Sequence, residues 1–219
     1  MTALVLFIKY PEARKVKTRL GAEVGFEFAA ELYRLFIQQT FDLAQNCSAK
    51  KVFVAFEPAE RKLDFAEFVP KKFTIFPQEG KNLGERMLNA FKDAFARGYK
   101  NVAILGSDSP TLPLENIDDA FEKLSKSDLV LGPAEDGGYY LIGLNKAHRG
   151  LFENIEWSSD SVLQLTIESA KKLQLSYKLL ASWYDVDSKE TLMRAAKDEK
   201  KGLIKSLIEQ HSEIVLKKR

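Results

Sequence analysis

Four short stretches concentrate the residues that could do chemistry. The first, KYPEARKVKTRL from Lys9 to Leu20, carries Lys9, Arg14, Lys15, Lys17 and Arg19 against one acid, Glu12. Such a cluster can neutralise a di- or triphosphate, with Thr18 and main-chain N–H groups as further donors. Its plain alternative is a solvated basic loop. The second, GSDSPTLP, sets Asp108 just after an apolar run. Magnesium takes hard oxygen ligands, usually only one or two of them carboxylates, and manganese favours the same donors. Asp108 therefore suits Mg2+ or Mn2+ held jointly with substrate phosphate, unless Ser107, Asp108 and Ser109 merely form a turn before Pro110. In the third, YDVDS, Asp185 and Asp187 alternate along the chain, so an extended backbone would turn both carboxylates toward one cation. Asp187 or Ser188 could equally cap a helix beginning near Lys189. In the fourth, GPAEDGGYYLIG, Glu135 and Asp136 stand against Gly137 and Gly138. Asp-Gly between apolar runs is a hairpin signal. The same turn could bring acids and bare backbone to a substrate, with Tyr139 as a wall.

Several familiar chemistries are missing. The basic stretch lacks GxxxxGK[ST], so a P-loop is disfavoured, and no GxGxxG follows the first apolar run. His148 and His211 are the only histidines and Cys47 the only cysteine. Neither a histidine metal site nor an intramolecular disulfide fits, and the lone cysteine suits a reducing compartment. Lys and Arg total 33 against 31 Asp and Glu, a formal charge of +2, which gives no field for nucleic acid or a membrane surface. The apolar start Ala3 to Ile8 is too short for a signal-peptide core or membrane span. A cytoplasmic protein is expected. Trp157 could pack in the core or stack on a base or sugar.

These stretches need elements to hold them. Strands are expected over Leu4 to Ile8, Val52 to Phe56, Phe73 to Phe76, Val102 to Leu105, Leu129 to Leu131, Tyr139 to Gly143 and Tyr177 to Leu180. Phe28, Leu32, Leu35 and Phe36 share one face of a helix from Glu23 to about Ala44. Leu83, Met87, Ala90, Phe91 and Ala94 mark another, stopped at Gly98. Further helices fit roughly 114–125, 160–173, 189–199 and 202–210. The alternation predicts a three-layer α/β/α arrangement on a mainly parallel twisted sheet, with one antiparallel strand at the Gly137–Gly138 turn. At 219 residues this is one domain. Ligands of open α/β sheets bind beyond the carboxyl ends of the strands, where all four stretches fall.

Taken in order, K-x-P and K-T-R-L (Lys9 to Leu20), L-G-E-R-M (Leu83 to Met87), G-S-D-S-P (Gly106 to Pro110), G-P-A-E-D-G-G-Y-Y-L-I-G (Gly132 to Gly143), W-S (Trp157, Ser158) and Y-D-V-D (Tyr184 to Asp187) carry a resemblance. The chain resembles the nucleotide-diphospho-sugar transferase superfamily, the Rossmann-like A-type glycosyltransferase fold. Within it, the chain is similar to a bacterial family of candidate and arsenosugar-biosynthesis glycosyltransferases. The resemblance covers about Leu4 to Leu192. It implies a nucleotide-binding half at about 1–110, an acceptor half at about 111–200 and a C-terminal helical tail over 201–219. It also implies a divalent cation on Asp108 and Asp187, with Asp185 nearby, and the Glu135 to Tyr139 loop, including Gly137 and Gly138, facing acceptor or sugar. Gly84 and Arg86 would lie near the base or ribose. One departure stands out: the family's usual glycine is replaced by Arg14, trading close backbone approach for bulk and charge. Ser159 and Ser188 replace threonines.

The leading expectation is a metal-dependent glycosyltransferase using a nucleotide sugar and a small-molecule acceptor. Arg14, Lys17 and Arg19 would offset phosphate charge, and Glu135 or Asp136 would be general base if the reaction inverts. The K-T-R-L string is also similar to that of 2-phospholactate guanylyltransferase. The rival is therefore a nucleotidyltransferase that joins a nucleoside triphosphate to a phosphorylated acceptor and releases pyrophosphate. A non-catalytic nucleotide-sugar-binding protein is the third reading. Base, sugar, acceptor and oligomeric state are not specified by these residues.

Overall fold

Seven short apolar runs become the seven strands of one sheet. In the computed structural model, which describes residues 1–215, they are β1 (Thr2–Lys9), β2 (Lys51–Glu57), β3 (Thr74–Pro77), β4 (Asn101–Leu105), β5 (Leu129–Pro133), β6 (Tyr139–Leu144) and β7 (Tyr177–Leu179). Their order across the sheet is β3-β2-β1-β4-β6-β5-β7. β1 runs parallel to β2 and β4, β2 to β3, and β5 to β7. Only β6 is antiparallel, to both β4 and β5, and it follows the Asp-Gly turn as expected.

Alternation along the strands sorts side chains into two cores. Leu4, Leu6 and Ile8 of β1 face one side with Val52, Val54 and Phe56 of β2, while Ala3 and Val5 face the other with Phe53 and Ala55. The first core is covered by α1 (Thr18–Val24), α2 (Phe26–Asn46), α3 (Lys62–Phe68), α5 (Leu114–Leu124), α7 (Lys189–Asp198) and α8 (Leu203–Gln210). The second is covered by α4 (Leu83–Ala96) and α6 (Val162–Lys172). The result is the α/β/α layering that period-2 strands and one-sided helices require. A final turn of helix, α9 (Ser212–Val215), follows. Of the tail expected over 201–219, residues 216–219 lie outside the described residues. No helix among the described residues is long and apolar enough to cross a membrane.

Two helical expectations needed revision. The helix expected from Glu23 is broken at Gly25, whose φ of 92° and ψ of 137° are not helical, so α1 ends there and α2 begins. The apolar stripe of Phe28, Leu32 and Phe36 belongs wholly to α2, which is why periodicity located the helix but not its start. α3 was not anticipated. It has seven residues and buries only Phe65, too little pattern to detect.

The turn between β5 and β6 is fixed by packing as well as by its own hydrogen bonds. Gly137 has φ of 90°, and a Cβ there would collide with the Asp160 backbone, while the Gly137 carbonyl accepts from Leu163 N at 2.9 Å. Gly202 also has positive φ, 69°, but a Cβ there would meet open space. Gly137→Ala is expected to destabilise by about 2–3 kcal/mol, combining backbone strain with a clash. Gly202→Ala should cost about 1 kcal/mol from conformation alone. Urea denaturation of the two variants checks the difference.

Candidate active site

The chain leaves β1 toward β2 and β3 on one side and returns to β4 on the other, so a crevice opens beyond the carboxyl ends of β1 and β4. A cleft of 680 Å³ occupies this place. One wall is the basic loop, through Lys9, Lys15, Lys17, Thr18 and Arg19; another is the loop after β4, through Gly106, Ser107 and Asp108. Asp187 enters from the loop before α7, and Tyr139 from the start of β6.

At the centre is Lys17, whose side chain is only 3% exposed. Its ammonium forms an ion pair with Asp108 and donates to Asp187 Oδ1 at 3.0 Å. Arg19 donates to the other oxygen of Asp187 at 3.3 Å. The rings of Tyr33 and Phe36 lie 5.9 Å from the ammonium. Burial by itself would drive the Lys17 proton off, but the two carboxylates more than reverse this and hold the side chain charged, above the ordinary lysine range.

Local structure explains why the carboxylates meet. Val186 N donates to the Asp108 carbonyl at 2.9 Å, tying the two acidic loops together. Ser188, not Asp187, caps α7: its hydroxyl accepts from Thr191 N in a reciprocal capping box. The Asp187 carboxylate is thereby left for Lys17 and Arg19. Tyr33 shares a 2.7 Å hydrogen bond with Ser107 and accepts from Lys9 N, bracing the ends of β1 and β4 against α2. Burial, then Asp108, pushes the Tyr33 phenol up to about 12, so it remains a neutral hydroxyl. Asp185 does not line the cleft. It accepts from the Ser109 hydroxyl, and burial followed by the neighbouring Asp108 raises its pKa to about 7.

Several expected residues lie elsewhere. Arg14 keeps the left-handed backbone that glycine would favour, φ 65°, but its guanidinium rests over Phe26 at 4.6 Å and does not line the cleft. Glu135 is held by Arg194 of α7 through two hydrogen bonds, 2.7 and 3.0 Å, and Asp136 accepts from Gly138 N at 3.0 Å within the turn. With Gly137 and Gly138 they form the tight hairpin outside the cleft lining, because the turn packs against the segment leading into α6. Gly84 also stands behind the cleft. A Cβ there would lie 2.5 Å from the Trp157 ring, so the glycine makes room for an indole that packs on the second core. Trp157 packs rather than lining the cleft, while its neighbour Ser158 does line it. Arg86 does line it, paired with Glu57. Glu57, Gln78 and Tyr33 are lining residues that sequence reasoning missed. The polar ends of β2 and β3, Glu57 and Gln78, fall at carboxyl ends of parallel strands, a detectable signal; Tyr33 sits in the apolar stripe of α2 and reads as core.

The donor chemistry at Asp108 and Asp187 fits Mg2+ or Mn2+, since two carboxylates already share one cation, the Lys17 ammonium, beside exposed cations suited to phosphate. Among the described residues no cluster of three or more His, Cys, Asp or Glu forms a metal cage. Water and substrate phosphate would supply the remaining ligands.

Residues 40–159 match the family DUF2064, described as an uncharacterized protein conserved in bacteria. Comparison with curated protein sequences finds no match. Among solved structures, the chain is similar to a candidate nucleotide-diphospho-sugar transferase from Desulfovibrio desulfuricans G20, with 32% identity and TM-score 0.90 over 98% of this chain and 96% of that one. It also shares its fold with CMP:2-keto-3-deoxy-manno-octonic acid synthetase complexed with CTP: 12% identity, TM-score 0.56, 90% of this chain and 97% of that one. The same holds for a manganese complex of Rv0371C from Mycobacterium tuberculosis H37Rv: 13% identity, TM-score 0.54, and coverage of 90% and 97%.

Gly84→Ala separates the packing role of this glycine from a phosphate-binding one. Helix propensity alone predicts stabilisation by about 1 kcal/mol. Overpacking against Trp157 predicts the opposite sign, a loss of about 1–3 kcal/mol. The loss should come with a red-shifted tryptophan emission as the indole is displaced. Denaturation followed by fluorescence reads both, against Trp183 as the other tryptophan in the sequence.

Proposed function

Because the chain belongs to the DUF2064 family and has the nucleotide-diphospho-sugar transferase fold, we propose that it transfers a sugar from a nucleotide-sugar donor to a small-molecule acceptor. The observation that carries this reading is the meeting of Asp108 and Asp187 at one cationic point, at the switch in strand order and beside the basic loop. The nucleotide would lie against the 1–110 half and the acceptor on the side of residues 111–200. Lys9, Lys15 and Arg19, all exposed in the cleft, orient the diphosphate and offset the charge that grows on it as the glycosidic bond breaks. Thr18 adds a hydroxyl donor at the same wall. Mg2+ or Mn2+ held by Asp108 and Asp187 would supply Lewis-acid stabilisation of the leaving nucleoside diphosphate. Tyr139 forms the wall toward the acceptor.

A general-base role does not carry over to Glu135 or Asp136. Glu135 is committed to Arg194 and Asp136 to its own turn, both outside the cleft lining. A retaining transfer requires no such base. The same observation favours a second reading, nucleotidyl transfer. Apart from Asp108 and Asp187, the carboxylate in the cleft is Glu57, which is paired with Arg86. A phosphate nucleophile is already ionised near neutral pH and would attack the α-phosphate of a nucleoside triphosphate unaided.

Incubation of the protein and Mn2+ with a panel of nucleotide sugars is expected to release nucleoside diphosphate. Asp108→Asn should lower that rate by about 100-fold or more, a few kcal/mol of transition-state stabilisation. Pyrophosphate release from a triphosphate and a phosphorylated acceptor, with nucleotide sugars inert, would replace the first reading by the second. Turnover by Asp108→Asn at the parent rate would remove Asp108 from both.

A further inference from the structure

We infer that Lys17 is a resident cation that closes the Asp108 and Asp187 pair to a divalent metal until substrate phosphate draws its ammonium away, so that nucleotide binding precedes metal binding. This rests on the reading of those two carboxylates as metal donors. It adds an order of events and assigns that order to one side chain.

The Lys17 ammonium occupies the point where the carboxylates converge. It pairs with Asp108, donates to Asp187 at 3.0 Å, and is sealed from water. A metal ion arriving alone would meet a like charge there, with Asp108 Oδ1 and both oxygens of Asp187 already paired. Displacing Lys17 without a new anion nearby would strand a desolvated ammonium against the rings of Tyr33 and Phe36. Neither route is favourable.

The carboxylates stand on short side chains from anchored backbone, and the ammonium on a longer stem. Asp108 is tied through its carbonyl to Val186 N, and Asp187 is followed at once by the Ser188–Thr191 capping box. Lys17 reaches the pair on a flexible four-carbon stem. Phosphate entering beside Lys9, Lys15 and Arg19 would offer the ammonium a new partner and the metal its missing oxygen ligands together. Arg19, at 3.3 Å from Asp187, retains one charge contact when Lys17 leaves.

Titration of Mn2+ into nucleotide-free protein, with free ion read by electron paramagnetic resonance, tests this. Lys17→Met should take up Mn2+ about tenfold or more tightly than the parent protein, as expected when one adjacent positive charge is removed. Lys17→Arg should behave as the parent does, and the double variant Lys17→Met with Asp108→Asn should lose the uptake. Equal Mn2+ affinity in the parent and Lys17→Met would overturn the gate and leave the metal pair standing. No uptake by Lys17→Met, with a native circular dichroism spectrum, would overturn both. If Lys17→Met does not fold, the parent still decides through the nitrogen-15 signal of its buried lysine ammonium. That signal should shift with inorganic pyrophosphate and stay unbroadened with Mn2+ alone; the reverse pattern overturns the proposal.

Discussion

A lysine whose charged side chain is only 3% exposed is the constraint around which this end of the molecule is organised. Removing such a charge from water costs several kcal/mol unless opposite charges and hydrogen bonds replace the lost solvent. Asp108 and Asp187 supply that compensation from loops at opposite ends of the chain's chemistry, one after β4 and one before α7. Their positions are therefore not independent. Moving either loop leaves Lys17 half-paired, so the folded state favours the arrangement in which both acids point at one place. Two acids brought to one point are kept close to neutral by Lys17 together with Arg19.

Backbone contacts carry the precision. The Val186 N to Asp108 carbonyl bond couples the acidic loops directly, and the Ser188 cap prevents Asp187 from spending its carboxylate on the helix start. Tyr33, reaching from α2, binds Lys9 N and Ser107 and so joins β1 and β4 at the switch point. Each contact is modest alone, about 1 kcal/mol net for a neutral hydrogen bond. Together they hold the loops as a preorganised rim, the arrangement that electrostatic stabilisation of developing charge requires.

Much of the fold was legible because it depends on periodicity. Alternating runs such as Leu4 to Ile8 and the stripe Phe28, Leu32, Phe36 report which face is buried without reference to distant residues. The antiparallel β6 was legible from Asp136 and Gly137, whose turn chemistry is local. Site residues divided along the same line. Lys17, Asp108 and Asp187 fall just beyond or between regular elements, where a charged residue stands outside the apolar pattern and its only rival uses are a turn or a cap. Tyr33 was hidden inside an apolar helical face, whereas Glu57, the last residue of β2, carries a signal that strand-end position alone could have supplied. Glu135, Gly84 and Trp157 look chemically available in sequence, yet tertiary partners claim them: Arg194 takes the acid, and the indole fills the space the glycine leaves.

The hairpin at Glu135 to Gly138 shows how a stretch can serve a site without lining it. Glu135 N donates to the Trp183 carbonyl and Trp183 N to the Pro133 carbonyl, so the turn is laced to the segment that becomes Asp185 and Asp187. On the other side of that segment, the Glu135 carboxylate grips Arg194, whose guanidinium covers the Tyr184 ring at 3.8 Å. Tyr184 donates to Asp198, and Gly137 accepts from Leu163 at the start of α6. The turn thus clamps both ends of the Asp185–Asp187 loop and sets the entry of α7. Its acids are held by Arg194 and by the turn's own Gly138 N. Gly137 is required because the turn lies too close to the Asp160 backbone for a Cβ. The acidic pair that best resembles catalytic machinery in the sequence is, in the folded chain, part of the brace that holds the Asp187 carboxylate against Lys17.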